Sequence, residues 1–268
     1  MKLKLFAVLV LAIGILTTGL TVSAQVVAIR PGQQPIDPEL SLQREVFRVL
    51  LQNNPDRGLE LATQRLQANP DDPVVIGSLS HVANSTSTKA LPLLVSVAKN
   101  STSGRARNEA THYVARTRGD KDALVTMLLD ILASAKDQEQ QSAVANGLAE
   151  INTPRSVSAL AEIARDKNRT IEARRTAISS VGRNDNPNRL TMLVELYQNS
   201  SDSVELRRSI MSSISRIPDA AAVQALVNIA KTETDLSLRR SAVQYLGNRK
   251  EPEAIRALEE FLKTPPRP

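Results

Sequence analysis

Leucines with apolar neighbours recur along this chain at a nearly fixed interval. Leu94, Leu128, Leu160, Leu193, Leu226 and Leu258 stand 34, 32, 33, 33 and 32 residues apart. Three residues after each comes Val97, Ile131, Ile163, Leu196, Ile229 and Phe261. An apolar pair at i and i+3 marks the buried stripe of a helix, because about 3.6 residues complete one turn. Leu61 lies 33 residues before Leu94, but Gln64 follows it, so that earlier unit is degenerate. Between these anchors runs a second set, Ala110, Ala143, Ala177, Ile210 and Ala242, in steps of 33, 34, 33 and 32. Ala177-Ile178 with Val181, Ile210-Met211 with Ile214, and Ala242-Val243 with Leu246 complete helical stripes of their own. Each unit therefore holds two amphipathic helices, joined by turns rich in Asn, Asp, Ser, Pro and Gly such as 184–188 and 198–203. Alternating apolar and polar runs are absent, so nothing reads as a strand. A helix pair of this kind cannot bury its apolar face alone, and neighbouring units must stack.

Three segments carry a family resemblance: EARRTAISSVG at 172–182, VELRRSIMSSIS at 204–215 and LSLRRSAVQYLG at 236–247. They resemble the second helix of HEAT repeats, especially the short PBS-lyase-like subtype, which reads approximately Asp-x-x-Val-Arg-x-x-Ala-x-x-Ala-Leu-Gly. The preceding turns keep Asp202 and Asp235. The resemblance covers about residues 90–264, and more weakly 57–88. It implies an all-α fold, a right-handed α-solenoid of stacked antiparallel helix pairs with a period of about 33 residues. It also implies that the second helices line the concave side. The segment 39–85 departs from the pattern; its Asn-Asn-Pro-Asp and Asn-Pro-Asp-Asp-Pro turns look like tetratricopeptide turns.

Five parts follow along the chain. Residues 1–24 form a leader: a basic start to Lys4, an apolar stretch from Leu5 to Leu20, and the small-residue site Val22-Ser23-Ala24. That succession is a secretory signal peptide cleaved after Ala24. The rival reading is a retained anchor, since about 18 apolar residues just span a bilayer. Residues 25–38, with three prolines and a glycine, form an irregular arm. Residues 39–88 form an N-terminal cap of about three helices, 89–264 the repeat array, and 265–268 a tail. Cleavage leaves an exported chain with no transmembrane segment, in a bacterial periplasm or outside the cell. Four Asn-x-Ser/Thr sequons, at Asn84, Asn100, Asn168 and Asn199, matter only in a eukaryotic secretory route.

Composition narrows the chemistry. The chain has no cysteine, which removes disulfides, thiolate metal sites, a lipid anchor and a cysteine nucleophile. His81 and His112 are the only histidines, too few for a multi-histidine metal centre. Aromatics make up 2% of the chain, which leaves no stacking platform for single-stranded nucleic acid. Lys and Arg number 34 against 28 acids; loss of the two leader lysines leaves four excess positive charges. With no basic run, and with export, nucleic acid is not a partner. No nucleophile elbow, P-loop or dinucleotide fingerprint is present. The expectation is a non-enzyme with no catalytic, cofactor-binding or metal-binding residues, and no cofactor.

Arginine carries the remaining signal. On a wheel with Ala177 at 0°, the core direction of that helix lies at about 45°, Arg174 at about 60° and Arg175 at about 160°. Arg174, Arg207 and Arg239 thus lean into the seam between units, where carboxylates such as Asp202 and Asp235 would offset the adverse helix dipole. The family resemblance implies the same inter-repeat ladder. Arg175, Arg208 and Arg240 stand on the flank. A second row, Arg116, Arg183, Arg216 and Arg249, falls at about 240°, opposite the core, with Glu150 interrupting it. Serines and Tyr245 share that face. Such a row is a candidate groove for a protein partner with an acidic surface. The sequence therefore reads as an exported interaction scaffold working through its concave face. The alternatives are a lyase-like or chromophore-handling protein, by analogy with the lyases that name the subtype, and a structural subunit of a cell-envelope complex.

Overall fold

The computed structural model describes residues 37–200 and 203–263. The leader 1–24, residues 25–36 of the arm, Asp202 and the tail 265–268 lie outside the described residues. The described chain is helical: α1 (Pro38–Asn53), α2 (Pro55–Ala68), α3 (Pro73–Ile76), α4 (Leu79–Ala83), α5 (Ala90–Asn100), α6 (Gly104–Arg116), α7 (Lys121–Ala133), α8 (Gln138–Ile151), α9 (Pro154–Arg165), α10 (Ile171–Arg183), α11 (Arg189–Asn199), α12 (Val204–Ser215), α13 (Ala220–Thr232), α14 (Leu236–Gly247) and α15 (Pro252–Lys263).

Capping chemistry sets the starts. Ser103, Asp120, Asp137, Thr153, Thr170, Ser203, Asp219 and Asp235 each accept a hydrogen bond from a backbone N–H two or three residues on. Each satisfies a donor that the first helical turn leaves without a partner, worth about 1 kcal/mol. From α5 onward the helices form two layers. The first helices α5, α7, α9, α11, α13 and α15 make one, and the second helices α6, α8, α10, α12 and α14 make the other. Successive second helices pack against one another more extensively than successive first helices do. These are stacked helix pairs, an α-solenoid.

The anchors seen in the sequence form the core. Leu94, Leu128, Leu160, Leu193 and Leu226 are buried, whereas Leu258 and Phe261 are half-buried, since among the described residues no helix after α15 packs over them. One anchor needs correction. Ala143 is half-exposed and its neighbour Val144 is fully buried, so the second-helix register steps by 34 residues from Ala110 to Val144 and by 33 to Ala177. Close approach in the second layer depends on small residues. A Cβ on Gly182 of α10 would lie 2.7 Å from the Cβ of Ser213 of α12. The matching Gly247 of α14 has nothing within 4 Å, because no second helix follows α14 among the described residues.

The N-terminal segment holds four helices. α2 continues the first layer against α5, while α3 and α4 take the place of one second helix, broken at Gly77-Ser78. Arg44 of α1 lies across that break and donates from Nε and Nη2 to the carbonyl of Pro73, at 3.1 and 2.9 Å. A side chain at Gly77 would strike the guanidinium, since a Cβ there would lie 2.3 Å from it.

Candidate functional site

Two arginine sets were expected to differ in placement, and the helices place them as follows. In the seam, Arg174 is buried and donates from Nε to the carbonyl of Ala164 at 2.9 Å. Arg207 of α12 is half-buried, lies 4.3 Å above the Tyr197 ring, and pairs with Glu233 at 2.9 Å. Glu233 is the residue that ends α13, so this contact joins one unit to the next. It also accepts from the Tyr197 hydroxyl at 2.6 Å and from the backbone N–H groups of Thr234 and Asp235 at 2.8 and 3.0 Å. Burial alone would raise the Glu233 carboxyl; the Tyr197 hydroxyl, the backbone donors and Arg207 outweigh it and hold the group below its ordinary value. Tyr197 is pushed up, first by burial and then by its bond to Glu233.

Asp235 has a different task from the one its position implies. It caps α14 through Leu238 N–H at 2.9 Å and accepts from Ser237 Oγ at 2.6 Å, while the ion pair of Arg207 goes to Glu233. Those bonds, with the field of Arg207, lower its carboxyl. Arg239 is half-buried and makes no ion pair among the described residues.

The seam also holds a member that the paired arginines do not reveal. Arg107 of α6 is buried; it donates from Nη1 to the carbonyls of Ser101 and Thr102, both at 3.0 Å, and from Nε to Gln140 Oε1 at 3.1 Å. Its Nη2 pairs with Asp137, the cap of α8. Gln140 in turn donates to the carbonyl of Ala98 at 2.6 Å. Asp71 makes the corresponding bridge nearer the N-terminus, accepting from Ser101 Oγ at 2.5 Å and Thr102 N–H at 3.1 Å. Asp137 is lowered chiefly by Gln140 N–H, and Asp71 chiefly by the Ser101 and Thr102 hydroxyls.

The outer row is split. Arg116, Arg183 and Arg216 are exposed on the second helices. Arg116 Nη1 lies 3.1 Å from His112 Nε2, while His112 Nδ1 lies 3.4 Å from Glu150. Arg216 donates to Ser212 Oγ at 3.0 Å. Arg183 borders a hollow of about 500 Å³ with His112, Asn146 and Glu150. Arg249 does not join them. Its side chain is 8% exposed and donates to the carbonyls of Ser215 and Ile217 at 2.8 and 2.9 Å, with Glu251 at 2.7 Å. The wheel fails for it because α14 stops at Gly247, and the carbonyls at the end of α12 draw a cation. Tyr245 is half-buried beside a hollow of about 810 Å³ that Arg208, Arg240 and Ser241 also line. Among the described residues no group of three or more His, Asp or Glu side chains is placed to hold a metal ion, and no helix is long and apolar enough to cross a membrane.

A family model described as HEAT repeats matches residues 125–213 and 200–268, together more than half of the chain. Curated proteins give no match. Among solved structures, human deoxyhypusine hydroxylase in complex with glycerol is similar at a TM-score of 0.40 and 14% identity, over 84% of this chain and 94% of that one.

Proposed function

The chain belongs to the HEAT-repeat family, and on that premise we propose that it is an exported, non-catalytic scaffold holding a protein partner on the concave face of its array. The observation that carries this reading is the exposed surface of the second helices. Arg183 and Arg216 stand there in solvent, with no carboxylate within ion-pair distance among the described residues. A helix-end arginine in a purely structural role gains from a carbonyl or a carboxylate, as Arg249 does. Many modest contacts spread over a broad surface suit a protein partner better than a small molecule.

Affinity capture with the mature chain, read by mass spectrometry, tests the scaffold. The wild type should retain a partner that Arg183→Glu/Arg216→Glu loses while melting at the same temperature. A wild type that captures nothing refutes the reading. Export has its own test. The intact mass of the exported protein should correspond to a chain beginning at Gln25; a chain retaining Met1 in the membrane fraction overturns it.

A further inference from the structure

The last three second helices present the same four-step stripe to solvent. It reads Ile171, Arg175, Ser179, Arg183 in α10, then Val204, Arg208, Ser212 in α12 with Arg216 at its C-terminal cap, then Leu236, Arg240, Gln244 in α14 with Asn248 at its C-terminal cap. Steps of four drift only about 40° around a helix, so each stripe runs from the flank, where Arg175 stands, toward the face opposite the core, where Arg183 stands. The apolar heads are large side chains left in water: Ile171 is 39% exposed, Val204 43% and Leu236 65%. Helix α8 carries Gln138 and Ser142 where these three carry an apolar head and an arginine. The motif therefore begins at α10.

Its charges are unequal. Arg175 is occupied by Glu172 at 2.6 Å and Glu205 at 3.8 Å. Arg208 and Arg240 have no carboxylate within ion-pair distance among the described residues, and they share one hollow of about 810 Å³. An unpaired cation row beside an apolar row is complementary to a chain carrying carboxylates and apolar side chains together. Spacing decides its conformation. Packed helices lie about 8–10 Å apart. An extended chain with three residues per turn and about 3.1 Å rise advances about 9.3 Å per turn and returns every third side chain to one face.

We propose that the flank of α12 and α14 binds an extended acidic peptide segment of a partner protein. The segment crosses the helices with every third residue acidic, its carboxylates on Arg208 and Arg240 and its apolar side chains on Val204 and Leu236. This rests on the scaffold reading and names the chemistry of its partner.

Fluorescence anisotropy of the full mature chain with a labelled peptide of repeated Glu-Leu-Ser tests it. Binding should weaken steeply as salt rises through about 0.1 M, where screening acts over about 10 Å. Arg208→Glu/Arg240→Glu should bind at least about tenfold more weakly, a change of about 1.4 kcal/mol, with unchanged melting. Arg105→Glu/Arg118→Glu removes the same charge away from the stripes, at α6 and just after it, and should bind as the wild type does. A peptide of repeated Glu-Ser-Ser, lacking the apolar residue, should bind more weakly than the first. Absence of binding at low salt overturns the proposal. So does equal loss in both double variants, or equal binding of the two peptides, since either makes the surface a sink for any polyanion. Partner capture that survives Arg208→Glu/Arg240→Glu overturns it too, yet leaves the scaffold standing.

Discussion

Glu233 shows how much one side chain can hold here, because it gathers Tyr197, Arg207 and two backbone donors from three parts of the chain. Its carboxyl, like those of Asp71 and Asp137, ionises more readily in the folded chain than in the unfolded one. The folded state thus binds fewer protons in the acid range. The stability this contributes is complete above the ordinary carboxyl values, 4.5 for Glu and 3.8 for Asp, and is lost as pH falls through the lower folded values. Glu233→Gln should cost about 1–3 kcal/mol at neutral pH, and urea titrations at a series of pH values should show a shallower acid decline than the wild type. An identical acid decline would mean the cluster is not ionised as described. Gly182 and Gly247 give a second residue-scale contrast. Gly182→Ala must displace Ser213 and should cost about 1–3 kcal/mol, whereas Gly247→Ala meets open space and should stabilise by about 0.5 kcal/mol. Thermal melts of the two variants should move in opposite directions. Neither Glu233 nor the glycine contrast was legible in the sequence. Both depend on which elements meet, and periodicity does not report that. Arg107 was legible in principle, since it stands three residues before Ala110 as Arg174 does before Ala177.

At the scale of the helix, the sequence spoke most clearly where an apolar side chain could sit only in the core. Leu193 and Leu226 are fully buried, as their recurrence predicts. Truncating either to Ala should cost about 2–5 kcal/mol. Stacked units couple mainly to their neighbours. Hydrogen exchange on Leu193→Ala should therefore rise most in α9 to α13 and least in α5 and α6. A uniform rise across the chain would contradict independent coupling of neighbours. Helix ends were less legible. The helical wheel places Arg183 and Arg216 correctly because α10 and α12 continue to those positions or to the residue before. It misplaces Arg249 because α14 has already ended. Arg249→Ala should lower stability, since it frees the carbonyls of Ser215 and Ile217, while Arg183→Ala should stay within about 0.5 kcal/mol of the wild type. Chemical denaturation of the two variants separates them.

Taken whole, the array has unequal ends. α1 leaves Leu42, Val46 and Val49 exposed, and α15 leaves Ile255 half exposed and Leu262 at 91%. Among the described residues α15 packs on one side only, against α13 and α14, and a unit with one neighbour gains less burial than one with two, so exchange should be fastest at α15 and slowest near α8 and α10. The Tyr197 cluster has a further use at this scale. The chain contains no tryptophan and three tyrosines, and its three phenylalanines absorb only weakly at shorter wavelength, so the long-wavelength part of its near-ultraviolet spectrum belongs to tyrosine. Tyr197 is the buried one, its hydroxyl held by a carboxylate and its ring covered by a guanidinium. Its phenol resists ionisation above the ordinary value of 10.0 for as long as the junction between α11, α12 and α13 stays closed. In alkali, the part of the phenolate absorbance that appears late should coincide with loss of helical circular dichroism. The native protein thus carries an unlabelled optical gauge of whether its units remain stacked.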